Sequence, residues 1–303
     1  MHIDPVIVLF GLGVGILIGL TGIGGGSLMT PLLIIVIGTQ PVVAIGTDLA
    51  YGAITKTLGG WRHLRKGRVD LGVSKWLAFG SVPGTLLGVL SLDHFHHVYG
   101  KQFDTWLLAG LAAALILVAA IVLTRTILMP RLAEREQETF SFTDRSRAGA
   151  AAMGFVLGAL LGLTSVGSGA LIGIAMLILF RLTPRRVAGT SVFHAALLLW
   201  IAGVAHAISG NVDYGLMGQI LIGSIPGVWI GTQMIDRIPE HALRVTLGAV
   251  LLGSALAVVS KAGEHIPVGV ILGAPLLVGV IAAATRKRGP RVPRRVLPAA
   301  EAP

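Results

Sequence analysis

"GLTGIGGGSLMTP" (residues 19–31) decides the fold of this 303-residue chain. Five of its first eight residues are glycine, which disfavours a helix. The chain nevertheless carries no charged side chain between Pro5 and Thr47, as expected of a segment inside a membrane. Lipid offers no hydrogen bonds to an irregular backbone, so a helix break at this depth must be buried in protein or line a polar cavity.

The composition of the whole chain predicts a membrane protein. Hydrophobic residues make up 54% of it and charged residues only 13%, whereas soluble domains are about one quarter charged. Uncharged runs of about 20 residues, the length that crosses a bilayer core of ~30 Å, recur along the chain. We therefore expect an all-α polytopic membrane protein.

The basic tail and the lack of cysteine limit the binding partners and the chemistry that we expect of the chain. Six Lys and Arg residues follow residue 285, directly behind a hydrophobic run. Basic clusters beside a span mark the cytoplasmic side and attract anionic lipid headgroups. We therefore expect a cytoplasmic C-terminus, an external N-terminus, the lipid bilayer as partner and no nucleic acid. The absence of cysteine excludes disulfides, thiolate metal sites and cysteine nucleophiles.

The chain contains two copies of one module. A shift of 143 residues aligns residues 19–88 with residues 162–231 without a gap, and 22 of the 70 pairs are identical. We call residues 143 positions apart counterparts. The opening motif returns as "GLTSVGSGAL" from Gly162. A period of this length indicates a duplicated domain.

The loop charges indicate that the two copies have inverted topology. Loop 62–68 holds four basic residues, whereas the corresponding loop 206–212 holds no Lys or Arg. Link 38–41 is uncharged, whereas the corresponding link 181–186 holds three arginines. Under the positive-inside rule the copies face opposite sides of the membrane. Inverted repeats recur in secondary transporters.

The same rule predicts a re-entrant helical hairpin in each copy. Residues 148–180 lie between two basic segments that should both be cytoplasmic, but they are too few for two full spans at ~1.5 Å per residue. They are expected to turn back at the second glycine turn (residues 164–169), and the first copy at the first glycine turn (residues 21–27). One long broken helix is the alternative interpretation.

Three further transmembrane helices complete each copy. Their predicted positions are 41–61, 71–92 and 105–124, then 187–207, 214–235 and 244–260, with one extra C-terminal transmembrane helix at 266–285. The predicted domains are a first repeat at 1–125, a cytoplasmic linker at 126–147, a second repeat at 148–260, the extra helix at 261–285 and a basic cytoplasmic tail at 286–303.

The glycine turns are candidate sites for a small anionic substrate. Glycine lets backbone N–H groups approach a ligand, and a helix that begins after the turn directs unpaired N–H groups into it. Close helix packing through small residues is the alternative. Two serines are further candidates, because each lies beside a proline that interrupts a predicted span. The candidate substrate-binding residues are Thr21, Gly22, Gly24, Gly25, Gly26, Ser27, Thr164, Ser165, Gly167, Ser168, Gly169, Ser81 and Ser224.

Few ionisable residues lie inside the predicted spans. Asp48 is an intramembrane carboxylate and therefore the candidate coupling residue: it would carry a proton, cap a broken helix or bind a cation. Lys56 is expected to snorkel to the cytoplasmic surface or to contact substrate. Asp70 and Asp213 are expected to be helix N-caps. The secondary site candidates are Thr47, Lys56, Thr190, Ser191 and His194.

The three histidines of segment 93–97 lie in a predicted external connection. They lack the carboxylate–histidine spacing of a catalytic zinc helix, so neither a metal nor a cofactor is expected.

The combined motifs resemble the TauE/SafE sulfite exporter family. The resemblance covers about residues 8–260 and lies in the opening motif, "AIGTDLAYGAITKTLGGWRHLRKGRVD" (44–70), "GSVPGTLLG" (80–88) and "GTS" (189–191). Membership would imply a bacterial cytoplasmic-membrane transporter for sulfite, sulfonates such as sulfoacetate, or related small anions.

Together these features predict a secondary active transporter that exports small oxyanions by alternating access around the paired glycine turns. Protons are the candidate coupling ions, and a homo-oligomer is compatible with the sequence. An anion channel, or an importer of a sulfur-containing or carboxylate anion, is the alternative. An enzyme is not expected, because no nucleophile, base and orienting group come together.

Overall fold

The computed structural model describes residues 3–21, 26–128, 140, 142–234, 240–263 and 266–286. These residues are predominantly helical and contain no β-strand. The helices are α1 (Pro5–Thr21), α2 (Gly26–Leu32, continued by a π-helical segment, Leu33–Ile37), α3 (Pro41–Arg65), α4 (Leu71–Tyr99), α5 (Lys101–Leu128), α6 (Asp144–Thr164), α7 (Ala170–Phe180), α8 (Pro184–Ile208), α9 (Tyr214–Met234), α10 (Glu240–Lys261) and α11 (Val268–Arg286).

The helices confirm the all-α, multi-pass class. Five segments of the described chain are long and apolar enough to cross a membrane: Leu71–Tyr99, Lys101–Thr124, Asp144–Thr164, Arg185–Ile208 and Tyr214–Met234. Shorter apolar stretches lie in α1, α2 with its π segment, α10 and α11. α3 has 25 residues but contains Asp48 and Lys56 and is less apolar. The predicted number of spans therefore stays a prediction.

Each copy packs its first helix against the other copy. α1 lies along α9, and the corresponding helices α6 and α4 pack in the same way. A Cβ on Gly158 of α6 would lie 2.2 Å from the Ser81 carbonyl oxygen of α4, and one on its counterpart Gly15 would lie 2.4 Å from the Ser224 carbonyl oxygen. Glycine is required at both contacts because the backbones touch, as in small-residue packing of membrane helices.

Two further helix pairs join corresponding helices directly, α3 with α8 and α5 with α10. α3 and α8 run antiparallel. Gly46, near the start of α3, lies against His206 near the end of α8, and Gly60, near the end of α3, lies against Phe193. Exchanging the two copies therefore preserves the packing pattern.

The helix break expected in the second copy lies between α6, which ends at Thr164, and α7, which begins at Ala170. α7 has 11 residues, or about 16 Å of helix, roughly half of a bilayer core. α6 packs mainly on α4, and α7 packs mainly on α8. The break fits both a hairpin and a broken helix, so the re-entrant hairpin stays a prediction. In the first copy, residues 22–25 lie outside the described residues.

Two predicted boundaries differ from the structure. Segment 93–97, predicted to be a connection, is helical and belongs to α4; His96 Nδ1 lies 3.0 Å from Asp104 Oδ1 of α5. α6 begins four residues before the predicted start of the second repeat, because Thr143 and Ser146 form a capping box. Hydropathy predicts where a helix leaves the lipid, whereas capping determines where the helix ends. The described residues contain no group of three His, Cys, Asp or Glu that could hold a metal.

Candidate functional site

The second glycine turn is an irregular, buried segment of backbone. α6 ends where the Ser165 N–H donates to the Leu161 carbonyl at 2.7 Å. Ser165 then has a φ of 60° and Gly167 a φ of 102°, both in the left-handed region. Ser165 and Ser168 expose at most 1% of their surface. Backbone of this kind is tolerated at membrane depth only where protein or a cavity surrounds it.

Asp48 joins this turn to the first copy. Its carboxylate is completely buried on α3. Oδ2 accepts a 2.6 Å hydrogen bond from the Thr30 hydroxyl of α2 and another of 2.6 Å from the Ser165 hydroxyl of the turn. Oδ1 is buried and has no hydrogen-bond partner among the described residues. One carboxylate therefore connects a short helix of the first copy to the broken backbone of the second.

Lys56 holds the other end of the same turn. Its Nζ donates to the Ser168 carbonyl at 2.8 Å and lies 2.7 Å from the Ser168 hydroxyl. The side chain is only 6% exposed. The expectation that Lys56 snorkels to the surface is therefore wrong. It turns inward because an ammonium group in a helix bundle is stabilised by the carbonyl and hydroxyl that the irregular turn leaves free.

Charges of opposite sign lie at the two ends of the turn. Asp48 lies at one end, and Lys56 and the N-terminus of α7 lie at the other. Asp48 and Lys56 lie eight residues apart on α3, which corresponds to about 12 Å along its axis. Ser168, which Lys56 contacts, lies directly before Gly169, the residue that precedes α7 without a side-chain cap. Of the first N–H groups of α7, that of Ile172 donates to the Gly167 carbonyl within the turn. The helix N-terminus adds a partial positive charge there. This half of the turn has the chemistry of an anion site.

A second polar cluster lies beside the proline of α4. His194 on α8 lies 3.3 Å from the Ser74 hydroxyl through Nδ1 and 3.0 Å from the Ser81 hydroxyl through Nε2. Its counterpart on α3 is Tyr51, which neighbours Ser224 on α9. The hydroxyls of Tyr51 and Ser224 are buried, and neither makes a hydrogen bond of good geometry in the described structure.

Two of the secondary candidates have a structural role. The Thr190 hydroxyl accepts from the Asp70 N–H at 2.8 Å, and the corresponding Thr47 hydroxyl accepts from the Asp213 N–H at 3.0 Å. Asp70 and Asp213 in turn cap their helices through Oδ1, as the sequence predicts. Each pair therefore ties a loop of one copy to a helix of the other.

The remaining predicted hydroxyls are spread over several environments. Thr164 donates to the Leu160 carbonyl at 2.7 Å, and Ser191 donates to the Ala188 carbonyl at 3.2 Å, so both bond within their own helices. Ser27 is buried on α2. Within the first glycine turn, Thr21 ends α1 and Gly26 begins α2, but Gly22, Gly24 and Gly25 lie outside the described residues.

Sequence reasoning missed Thr30, Tyr51 and Ser74. The structure shows the corresponding contact of Thr30 in the second copy. The counterpart of Thr30 is Gly173, and a Cβ on Gly173 would lie 3.8 Å from the hydroxyl of Ser191, the counterpart of Asp48. The two positions therefore lie close together in both copies. Both residues are polar in the first copy, whereas the second copy has a glycine beside the serine.

Comparison with known proteins identifies a family and several relatives of this chain. The family described as Sulfite exporter TauE/SafE matches residues 7–258. The probable membrane transporter protein YjnA of Bacillus subtilis (strain 168) is 38% identical over 253 residues, which cover 84% of this chain and 98% of that protein. The probable membrane transporter protein YdhB of the same strain is 29% identical over 248 residues, covering 80% and 94% respectively.

A more distant relative comes from another organism. The probable membrane transporter protein MJ0441 of Methanocaldococcus jannaschii is 24% identical over 264 residues, covering 82% of this chain and 92% of that protein. No solved structure matches the chain. Because the family match spans residues 7–258, both copies of the module lie within it. The chain belongs to the TauE/SafE sulfite exporter family.

Proposed function

We propose that this protein is a secondary active transporter that exports small oxyanions, such as sulfite or organosulfonates like sulfoacetate, across the bacterial cytoplasmic membrane. The family and the relatives named probable membrane transporter proteins support transport itself. The identity of the anion, the outward direction and the use of an ion gradient are parts of the proposal, as is a cytoplasmic C-terminus.

Alternating access would use two copies of inverted topology. The antiparallel run of α3 and α8 and the exchange of basic loops between the copies both support this arrangement. Two antiparallel copies can exchange conformations and so open a central site first to one side and then to the other. The glycine turns, acting as re-entrant hairpins or as breaks in longer helices, would carry that site.

The observation that carries the proposal is the attachment of Lys56 to Ser168 at the start of α7. A buried ammonium, a serine hydroxyl and the N–H groups of a helix N-terminus converge on this half of the second glycine turn. An oxyanion offers several acceptor oxygens to such donors, and its negative charge balances the ammonium and the helix dipole. Asp48, at the other end of the turn, is the coupling candidate, with protons as the ions.

Binding of small anions to the purified full-length protein tests the proposal. Sulfite, sulfoacetate, thiosulfate, oxalate and methanesulfonate would each be screened for a rise in melting temperature. We expect at least one of the sulfur oxyanions to stabilise the wild type and Lys56→Gln to lose that stabilisation. Lys75→Gln, which removes an exposed lysine of α4, is the matched control and should retain it.

Transport itself is measured in liposomes. Preloading with the stabilising anion should accelerate uptake of the labelled anion, and the rate should saturate with its concentration. If no anion of the panel binds or exchanges, the proposed function is wrong. An anion channel on the same turns would instead give unitary currents and no counterflow.

A further inference from the structure

Lys56 and Asp48 stand apart from every other charged residue of the described chain. Among the Asp, Glu, Lys and Arg side chains whose burial the structure describes, they are the only buried ones, at 6% and 0% exposure. They lie on one helix and contact the two ends of one turn through Ser168 and Ser165. Their charges are opposite, so the site as a whole carries no net charge when both are ionised.

We propose that Lys56 and Asp48 form a charge-compensated pair, in which one singly charged oxyanion binds at Lys56 together with one proton at Asp48. The empty site and the loaded site then carry the same net charge, and the transport cycle moves no charge across the membrane. The inference rests on the proposed function, and it assigns the substrate's charge and the proton stoichiometry of that same site.

The charge of the bound anion must be compensated because the surroundings of the site have low polarity. An anion that binds beside Lys56 while Asp48 remains ionised leaves one uncompensated negative charge inside the helix bundle. Such a charge is strongly unfavourable at membrane depth. A proton on the Asp48 carboxylate removes it. Anion and proton therefore assist each other's binding by the same free energy, as thermodynamic linkage requires.

The geometry leaves a place for this proton. Thr30 and Ser165 both donate to Oδ2 of Asp48, while buried Oδ1 has no partner in the described structure. A proton can therefore bind at Oδ1 without displacing either hydroxyl. The proton comes from the compartment to which the site is open and leaves to the other compartment with the anion. Export by this cycle is therefore driven by the outward gradient of the anion itself, whereas an inward proton gradient drives uptake.

None of the groups around this carboxylate is an alternative acceptor for the proton. Tyr51 and Lys56 are its titratable neighbours on α3, whereas α2 contributes the hydroxyl and the backbone N–H of Thr30 and the turn contributes the Ser165 hydroxyl. On α9, Ser224 is the polar neighbour of Tyr51. On α8, His194 is engaged by serine hydroxyls of α4.

Methanesulfonate is a suitable probe, because it keeps one negative charge at any pH at which the protein is folded. Its affinity for the purified full-length protein would be measured by calorimetry between about pH 5 and pH 9. We expect the affinity to fall as pH rises, by up to about tenfold per pH unit once free Asp48 is ionised. Asp48→Asn should abolish this slope, whereas Asp144→Asn, which neutralises an exposed carboxylate, should keep it.

Currents on a solid-supported membrane give the second readout. Net uptake of methanesulfonate by the wild type should be driven by a pH gradient and should produce no current. Asp48→Asn should lose the response to the pH gradient, and any net uptake that remains should carry one negative charge per anion.

The outcomes separate this inference from the proposed function. Methanesulfonate binding that does not vary with pH in the wild type, or wild-type uptake that carries current, would overturn the pair while leaving an anion transporter. Binding of sulfoacetate but not of methanesulfonate would overturn the single charge of the substrate. If Asp48→Asn does not fold, the pH dependence of binding and the current during uptake, both measured on the wild type, are sufficient to test the pair.

Discussion

α3 and α8 are the same helix of a duplicated module, and they differ in the charged residues with which α3 contacts the second glycine turn. α3 carries Asp48 and Lys56, whereas α8 has Ser191 and Leu199 at the corresponding positions. Both helices have 25 residues, begin with a proline, run antiparallel to each other and are tied to the opposite copy by a threonine near the start. The duplication has kept the scaffold and concentrated the buried charge on one side.

This difference indicates that the two glycine turns are not equivalent. In the second glycine turn, serine hydroxyls at 165 and 168 meet the charged residues of α3, whereas the counterparts of both serines in the first turn are glycines. The asymmetry supports one charged site for each chain. Substitutions on the two helices test whether they differ in this way.

The largest effect is expected when one member of the charged pair is removed. Lys56→Leu, which reproduces Leu199 of α8, leaves the Asp48 carboxylate buried without its cation. We expect a loss of about 3 kcal/mol in stability at neutral pH, since the buried carboxylate then has no compensating charge nearby and Ser168 loses its hydrogen bonds to Nζ. Thermal unfolding in detergent would measure it, and the loss should shrink at low pH, where the carboxylate takes up a proton.

The double variant Asp48→Ser with Lys56→Leu makes α3 resemble α8 at both positions. Because both charges leave together, most of the lost stability should return, but anion uptake into liposomes should not. If the double variant is no more stable than Lys56→Leu alone, the two residues do not compensate each other.

A smaller and symmetric effect is expected in the scaffold. Gly158→Val and its counterpart Gly15→Val each place a side chain within 2.5 Å of a backbone carbonyl of the facing helix. Each should cost about 2–3 kcal/mol, because the helices must separate. Gly149→Val on α6 is the control, since nothing lies within 4 Å of its Cβ position. Unequal melting temperatures of the two variants would show that the packing is less symmetric than the repeat.

Much of the fold could be predicted because helices in lipid are determined by local patterns. Uncharged length, glycine breaks and the 143-residue repeat predicted the helical class and the position of the break after Thr164. The end of α4 could not be predicted in this way. Its last turns include the His96 pair with Asp104 on α5, a tertiary contact that a hydropathy pattern does not contain.

The site was predicted as a set of residue types rather than as a set of contacts. Asp48 was recognised because a carboxylate inside a span is expensive. Lys56 was expected at the surface, because the sequence gives no distance between α3 and Ser168, which lies 112 residues away. Thr30 was missed for the same reason: a threonine is unremarkable on α2 until a carboxylate lies 2.6 Å from it.

The smallest effect is expected at Tyr51, where the two halves differ in hydrogen bonding. His194 on α8 interacts with the hydroxyls of Ser74 and Ser81, whereas the corresponding Tyr51 hydroxyl on α3 has no hydrogen-bond partner in the described structure. Removing a buried hydroxyl that lacks a partner costs no hydrogen bond. Tyr51→Phe should therefore be neutral or raise stability by about 0.5 kcal/mol.

His194→Phe is the matched substitution on the other helix, and it should lower stability by about 1 kcal/mol, since hydrogen bonds between membrane helices average about 0.6 kcal/mol each. Thermal unfolding of both variants compares the two sides directly. A loss of stability in Tyr51→Phe as large as that in His194→Phe would mean that Tyr51 and Ser224 do form a hydrogen bond. The polar contacts beside the two prolines would then be symmetric, and only the charges on α3 would distinguish the halves.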